Sequence, residues 1–254
     1  MLKEKLKDKK LTIGSWISIA HPDVVEIMAT AGFEWLVVDL EHTSTDINTA
    51  KTLIATIKAK GLQPLVRVGA NDELIIKRVM DAGAEGIIVP MIKSANEAKQ
   101  AVNYIKYPPY GKRGVGLYRA QNYGTSFNEY KEWNQKSSVF IAQIEHIEAV
   151  KNIDEILTTE GLDGIMVGPY DLSASMGYPG EYDRDDVKAA LEKVKEACKK
   201  HNKTLGFHVI KSDAEFLQEK INEGYTFLAF SIDFFFLGDK ARAEMAKIKS
   251  TGKH

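Results

Sequence analysis

With 254 residues, 44% of them hydrophobic and 27% charged, the chain has enough apolar material for a large core and too little charge excess for disorder. Its 34 basic and 35 acidic residues leave a net charge of -1, so the whole-chain balance gives no electrostatic support to nucleic-acid binding. The single cysteine, Cys198, excludes an intrachain disulfide framework and a cysteine-built zinc site, and a reducing, cytoplasmic setting is the expectation.

The N-terminal stretch MLKEKLKDKK is charged throughout, lacks the apolar segment of a secretory signal and predicts a short solvated helix over residues 1–10. No apolar run reaches the length of a membrane span. Short β-rich runs then recur in order: LTIGSWIS, WLVVDLE, QPLVRVG, EGIIVPMI, VFIAQIE, GIMVGP, TLGFHVI and TFLAFSID. Each is followed by a segment of helical periodicity, the pattern of parallel strands joined by crossover helices. Eight such units in a chain of this length predict a single α/β domain over residues 1–254, a (β/α)8 TIM barrel. Glycine closes the helices just before several strands, as in MATAGFEWL, MDAGAEGII, TTEGLDGIM and INEGYTFLA, where it serves as the residue after the helix. The terminal STGKH is expected to fray.

One interval breaks the rhythm. Residues 107–133, rich in Gly, Tyr and Arg, form a long insert between the fourth helix and the fifth strand, and such connections are usually functional or mobile.

In a barrel of this kind the catalytic face is built at the C-terminal ends of the strands. The second run ends at Asp39, Glu41 and His42, the third at Arg67, the fifth at Gln143 and Glu145, and the sixth in GPYDLS with Asp171. Side chains two apart share a face, so Asp39 goes with Glu41 and Gln143 with Glu145. Several polar groups on one face of a barrel interior would be costly to bury unpaired, which predicts a shared ligand.

Glu145 and Asp171, from consecutive strand ends, suit a hard divalent ion; alternatively Glu145 pairs with a lysine and Asp171 caps the following helical turn. Arg67, inside the apolar LVRVG, either holds a carboxylate or oxyanion or neutralises Asp39 or Glu41. His42, with carboxylates beside it, is a candidate general acid/base. His21, His146, His201 and His254 read as ordinary core or surface groups.

The stretches GFEWLVVDLEH, PLVRV, PPYGKRGVG, QIE and GPYDLS, in this order, resemble the metal-dependent pyruvate aldolases of the HpcH/HpaI type, from about Gly14 to about Arg242. The resemblance implies a barrel that exchanges its eighth helix with a neighbouring subunit and assembles as a hexamer, a trimer of dimers. It implies cleavage and formation of 4-hydroxy-2-oxo acids, giving pyruvate and an aldehyde. Glu145 and Asp171 would bind Mg²⁺, Mn²⁺ or Co²⁺; His42, assisted by Asp39, would move the hydroxyl proton; and Arg67 would meet the keto or enolate oxygen. Gln143 and the backbone of Gly168, Pro169, Tyr170 and Asp171 would complete the pyruvate pocket, with Glu41 in a supporting or water-binding place.

By the same analogy the 107–133 insert covers the metal site, with Arg119 a candidate for the distal end of the substrate; salt bridges at a subunit interface are the other reading of its arginines. The chain departs from the pattern at His208, where a hydrophobic residue is expected and which is read either as a satisfied core histidine or as a contact to the substrate tail. Phe234 to Phe236 are read as a subunit-packing face. Competing functions are a lyase of the citrate or malyl-CoA type, a Schiff-base aldolase, for which only Lys93 and Lys211 lie at strand ends, and a non-catalytic pyruvate-binding barrel.

Overall fold

Every apolar run named above becomes a strand, and each strand is hydrogen-bonded to the next in parallel. The computed structural model describes residues 1–250, so STGKH lies outside the described residues except for Ser250. In chain order the elements are α1 (Leu2–Lys7), β1 (Thr12–Ile17), α2 (Pro22–Ala29), β2 (Trp35–Asp39), α3 (Ile47–Ala59), β3 (Gln63–Arg67), α4 (Glu73–Asp81), β4 (Gly86–Val89) and α5 (Ala95–Ile105). A short 3-10 turn (Arg119–Gly124) precedes α6 (Phe127–Ser137), β5 (Val139–Ile144), α7 (Ile147–Lys151), α8 (Ile153–Leu157) and β6 (Gly164–Val167). The chain continues through α9 (Pro169–Ser175), α10 (Asp185–Lys200), β7 (Thr204–Val209), α11 (Ala214–Asn222), β8 (Phe227–Ile232) and α12 (Asp233–Ser250).

The strands close on themselves in sequence order, with β8 returning to β1, which is the expected (β/α)8 barrel. Alternation along each strand gives two apolar layers. One lies between strands and helices and is dominated by Val, Ile, Leu and Ala. The other fills the barrel with Trp16, Trp35, Leu65, Ile88, Ile141, Met166 and Phe227, where Trp35 stacks on Phe227 at 4.4 Å. Gly14 makes room for that stack, since a Cβ there would come within 2.1 Å of the Trp35 ring. Helix ends follow the expected glycine rule: Gly83 and Gly224, for example, adopt φ of +105° and +95°. No helix among the described residues is long and apolar enough to cross a membrane.

Two expectations need correction. The N-terminal helix is not simply solvated: Leu2 and Leu6 are buried in the interior layer, Leu2 N donates to Gln63 Oε1 at 2.6 Å, and Lys3 pairs with Asp163 at 2.8 Å. The helix plugs the N-terminal end of the barrel, because its two leucines, four apart, fall on one face while its lysines and Glu4 occupy the rest.

The 107–133 insert does not cover the strand C-termini of its own chain. It joins the C-terminal end of α5 to β5, so it begins and ends at the opposite mouth. Its buried anchors lie there: Arg113 pairs with Asp81 and donates to Tyr130 Oη at 3.1 Å, and Gln121 donates to Tyr107 Oη at 2.8 Å. Arg119 donates to the carbonyl of Ala82 at 2.9 Å, beyond the C-terminal end of α4, and is therefore placed away from the substrate end.

Candidate active site

The C-terminal end of β2 supplies Asp39, buried, with Glu41 and His42 in the loop after it. Arg67 ends β3 in register with Asp39, so the two side chains meet on the interior face. Arg67 Nε and Nη2 donate to the two Asp39 oxygens at 2.8 and 2.7 Å, a bidentate fork. Burial alone would raise the Asp39 pKa, but the Arg67 fork, the Arg67 charge and the Glu41 N–H at 3.0 Å outweigh it and hold it below the usual value.

Asp39 is thereby occupied, and the expected Asp39–His42 couple is not formed as a bond. The carboxylate beside His42 is Glu41, 3.7 Å from His42 Nε2 and 3.2 Å from Arg67 Nε. Burial, with added repulsion from Glu145, Asp39 and Asp171, pushes Glu41 up to about 7 in spite of the Arg67 charge. Its Oε2 is buried without a hydrogen-bond partner. His42 itself projects outward, its side chain 66% exposed.

Gln143 and Glu145 stand two apart at the end of β5 and share the interior face. Glu145 Oε1 accepts from the Met91 N–H at 2.8 Å, and its other oxygen accepts from Gln143 Nε2. Met91 holds that N–H in place with a left-handed φ of +54°, a conformation that costs a side-chain-bearing residue free energy and gathers at functional sites. No lysine pairs with Glu145 among the described residues, so the lysine alternative is not realised. Burial is the leading cause that raises the Glu145 pKa, and the nearby Asp171 charge adds to it.

Gly168 caps α9 and Pro169 opens it, so Asp171 falls inside the first turn and does not cap the helix. Its carboxylate is exposed and makes no side-chain hydrogen bond or ion pair among the described residues. Tyr170 turns its ring onto Tyr182, 5.3 Å away, and its carbonyl accepts from Ser173 Oγ at 2.8 Å. Gly168 lets the chain pass close to Glu145: a Cβ there would lie 2.9 Å from Glu145 Oε2.

Among the described residues, no group of three or more His, Cys, Asp or Glu converges to hold a metal alone. Glu145 and Asp171 supply two hard oxygen donors that repel each other without a cation between them, and Gln143 Oε1 is buried with no partner. That donor set fits a hard divalent ion which completes its coordination with water and substrate oxygens.

Sequence reasoning undervalued Glu41 and did not single out Met91 or Trp16. Glu41 had a signal in its spacing from Asp39. The Met91 N–H had none, because backbone direction is not written in a side chain. His208 is a buried histidine satisfied on one side only: the Ser231 backbone meets its ring, while Nε2 is enclosed without a hydrogen-bond partner.

The fold and site define a barrel enzyme with its polar centre at the strand C-termini. A family model described as HpcH/HpaI aldolase/citrate lyase matches residues 12–238. The 4-hydroxy-2-oxo-heptane-1,7-dioate aldolase of Shigella sonnei is 36% identical over 248 residues, 96% of this chain and 93% of that one. The hydroxypyruvate/pyruvate aldolase of Roseobacter denitrificans is 32% identical over 249 residues, 97% of this chain and 96% of that one. The crystal structure of an HpcH/HpaI aldolase from Desulfitobacterium hafniense DCB-2 superposes with a TM-score of 0.90 at 31% identity, covering 98% of this chain and 96% of that one. The chain belongs to the HpcH/HpaI aldolase/citrate lyase family and is a carbon-carbon lyase of the aldolase kind.

Proposed function

We propose that the chain cleaves and forms 4-hydroxy-2-oxo acids, exchanging them with pyruvate and an aldehyde, with Glu145 and Asp171 holding a divalent cation. One observation carries this reading: two carboxylates, a forked arginine, and the buried Glu41 Oε2 and Gln143 Oε1, neither with a hydrogen-bond partner, converge on strand ends of one barrel. A cation held there supplies a Lewis acid for the keto oxygen and carboxylate of the substrate.

The Asp39 fork fixes the Arg67 guanidinium and leaves Nη1 for the oxygen that becomes the enolate. His42 removes the proton of the C4 hydroxyl, with Glu41 beside it as the group that titrates near neutrality. The C3–C4 bond breaks, the aldehyde leaves, the electron pair becomes the pyruvate enolate, and a proton then returns to C3. The same residues run the reverse reaction.

Pyruvate release from a panel of 4-hydroxy-2-oxo acids tests this. EDTA should abolish turnover, Mg²⁺, Mn²⁺ or Co²⁺ should restore it, and Glu145→Gln should lower kcat/KM by at least about 100-fold, an estimate from the scale of losses when a key electrostatic group is removed. Inactivation by borohydride with pyruvate, together with indifference to EDTA, overturns it. The assembly proposed is a hexamer with α12 exchanged, and the setting proposed is the cytoplasm, in keeping with one buried thiol.

A further inference from the structure

A cavity of about 230 Å³ lies beside the C-terminal ends of β6 and β7 and takes no part in the reaction as written. Pro169 and Tyr170 form one side, with Tyr182 leaning on Tyr170 from the loop before α10, and α11 forms the other side with Phe216. Phe207 and His208 of β7 line it as well. His208 packs on Trp16 with centroids 5.1 Å apart, and Trp16 lies under the Arg67 guanidinium, whose Cζ is 4.3 Å from the ring centroid, so two rings link the cavity to the catalytic centre. Sites for drug-sized ligands run to roughly 300–1,000 Å³, and this one suits a smaller molecule.

The rings and the charges around it agree on the chemistry. Tyr170, Tyr182, Phe207 and Phe216 bring four aromatic side chains to one small space. Ring faces attract cations, and the fold already uses two of these rings in that way. The Lys220 ammonium, which does not line the cavity, sits 5.1 Å from the Phe207 centroid and 4.9 Å from that of Phe216. Lys211 is the one cation lining the cavity, against the carboxylates of Asp213, Glu215 and Glu219. Asp213 spends one oxygen on capping α11, where it accepts from the Glu215 and Phe216 N–H groups. Glu215 and Glu219 stand four apart on that helix, where like charges repel, and neither carboxylate has a hydrogen bond or ion pair among the described residues. An anionic ligand meets that repulsion and a cation relieves it.

We propose that this cavity binds a small organic cation, its ammonium head held by the tyrosine and phenylalanine rings with Glu215 and Glu219 as counter-charges. The carboxylate of a keto acid belongs at the metal site and not here, so this is a second site. The inference stands apart from the aldolase reading, because it is tested by binding and not by turnover.

The test is calorimetry on the full-length, Mg²⁺-loaded protein with two probes of the same shape, choline and its uncharged isostere 3,3-dimethylbutanol. Choline should bind about tenfold more tightly than the isostere, the scale of a partly desolvated cation–ring contact, and its affinity should fall with added salt. The double variant Glu215→Gln, Glu219→Gln should weaken choline by about fivefold or more and leave the isostere unmoved, and Phe216→Leu should weaken choline by a similar factor. If Phe216→Leu fails to fold, Tyr182→Leu reports on the rings in its place. Equal affinity for the two probes overturns the proposal in favour of a merely apolar hollow. Choline affinity unmoved by the glutamine and ring variants places its binding elsewhere and overturns it too, as does wild-type protein that binds neither probe.

Discussion

Asp39 and Glu41 stand two residues apart, meet the same arginine and titrate in opposite directions. The fork makes the difference: Asp39 receives two aligned hydrogen bonds from Arg67, whereas Glu41 receives only its charge and is surrounded by other carboxylates. The Glu41 pKa is raised from 4.5 in the unfolded chain to about 7 in the folded one. The folded state then binds more protons between those values, so its stability is full below 4.5 and falls as the pH rises toward about 7. After allowance for partial solvent access this amounts to about 1 kcal/mol, or roughly 2–4 °C of melting temperature. The metal-free protein should lose that much between about pH 5 and about pH 8, and Glu41→Gln should remove that part of the slope; an identical slope in the variant would show that Glu41 titrates normally. Gly168→Ala tests the neighbouring cradle, because the new Cβ would press on Glu145 at 2.9 Å and turn its carboxylate. Calorimetry should show Mg²⁺ affinity falling by about 10–100-fold with little change in melting temperature, the scale of a disturbed ligand orientation.

At the scale of elements, α1 and the insert each took a place that their composition hides. Four charges in six residues suggest a solvated helix, yet Leu2 and Leu6 close the barrel floor and Thr204 Oγ1 bonds the Leu6 carbonyl. Leu6→Ala should therefore cost about 2–5 kcal/mol in urea denaturation, the range for a buried leucine; a cost under about 1 kcal/mol would return α1 to the surface. The insert shows the reverse problem. Its Gly, Tyr and Arg content looks like a lid, but a segment between a helix and the following strand starts at the N-terminal mouth by topology. Arg113, itself fully buried and paired with the partly exposed Asp81, then anchors it there.

Over the whole molecule, strand order and closure put β2, β3, β5 and β6 side chains around one mouth, and α12 extends from β8 with only Asp233 fully buried. Phe236 packs on Phe33 and Phe230 of its own chain, so of the three phenylalanines expected at a subunit face it is partly spent internally. Phe234, Leu237 and Met245 remain 44%, 67% and 49% exposed. Such an apolar helix face is costly in water and suits a partner subunit. Light scattering should give a mass near six chains for the wild-type protein and a smaller one for Leu237→Glu; an unchanged mass would remove α12 from the interface.

By itself the sequence determined the eight strands, their parallel order, the mouth on which function sits and the residue types gathered there. Those features follow from period-two burial, helix-ending glycines and the rule that residues at strand ends share a face, all of which are local. Only the tertiary structure decided that Arg67 forks Asp39 and leaves Glu41 to titrate near neutrality, that a strained Met91 turns its N–H on Glu145, and that Trp16 meets both Arg67 and His208. The reason is physical: a pKa, a backbone N–H direction and an unpartnered nitrogen depend on which distant groups arrive within a few ångströms, and that is set by barrel closure and register.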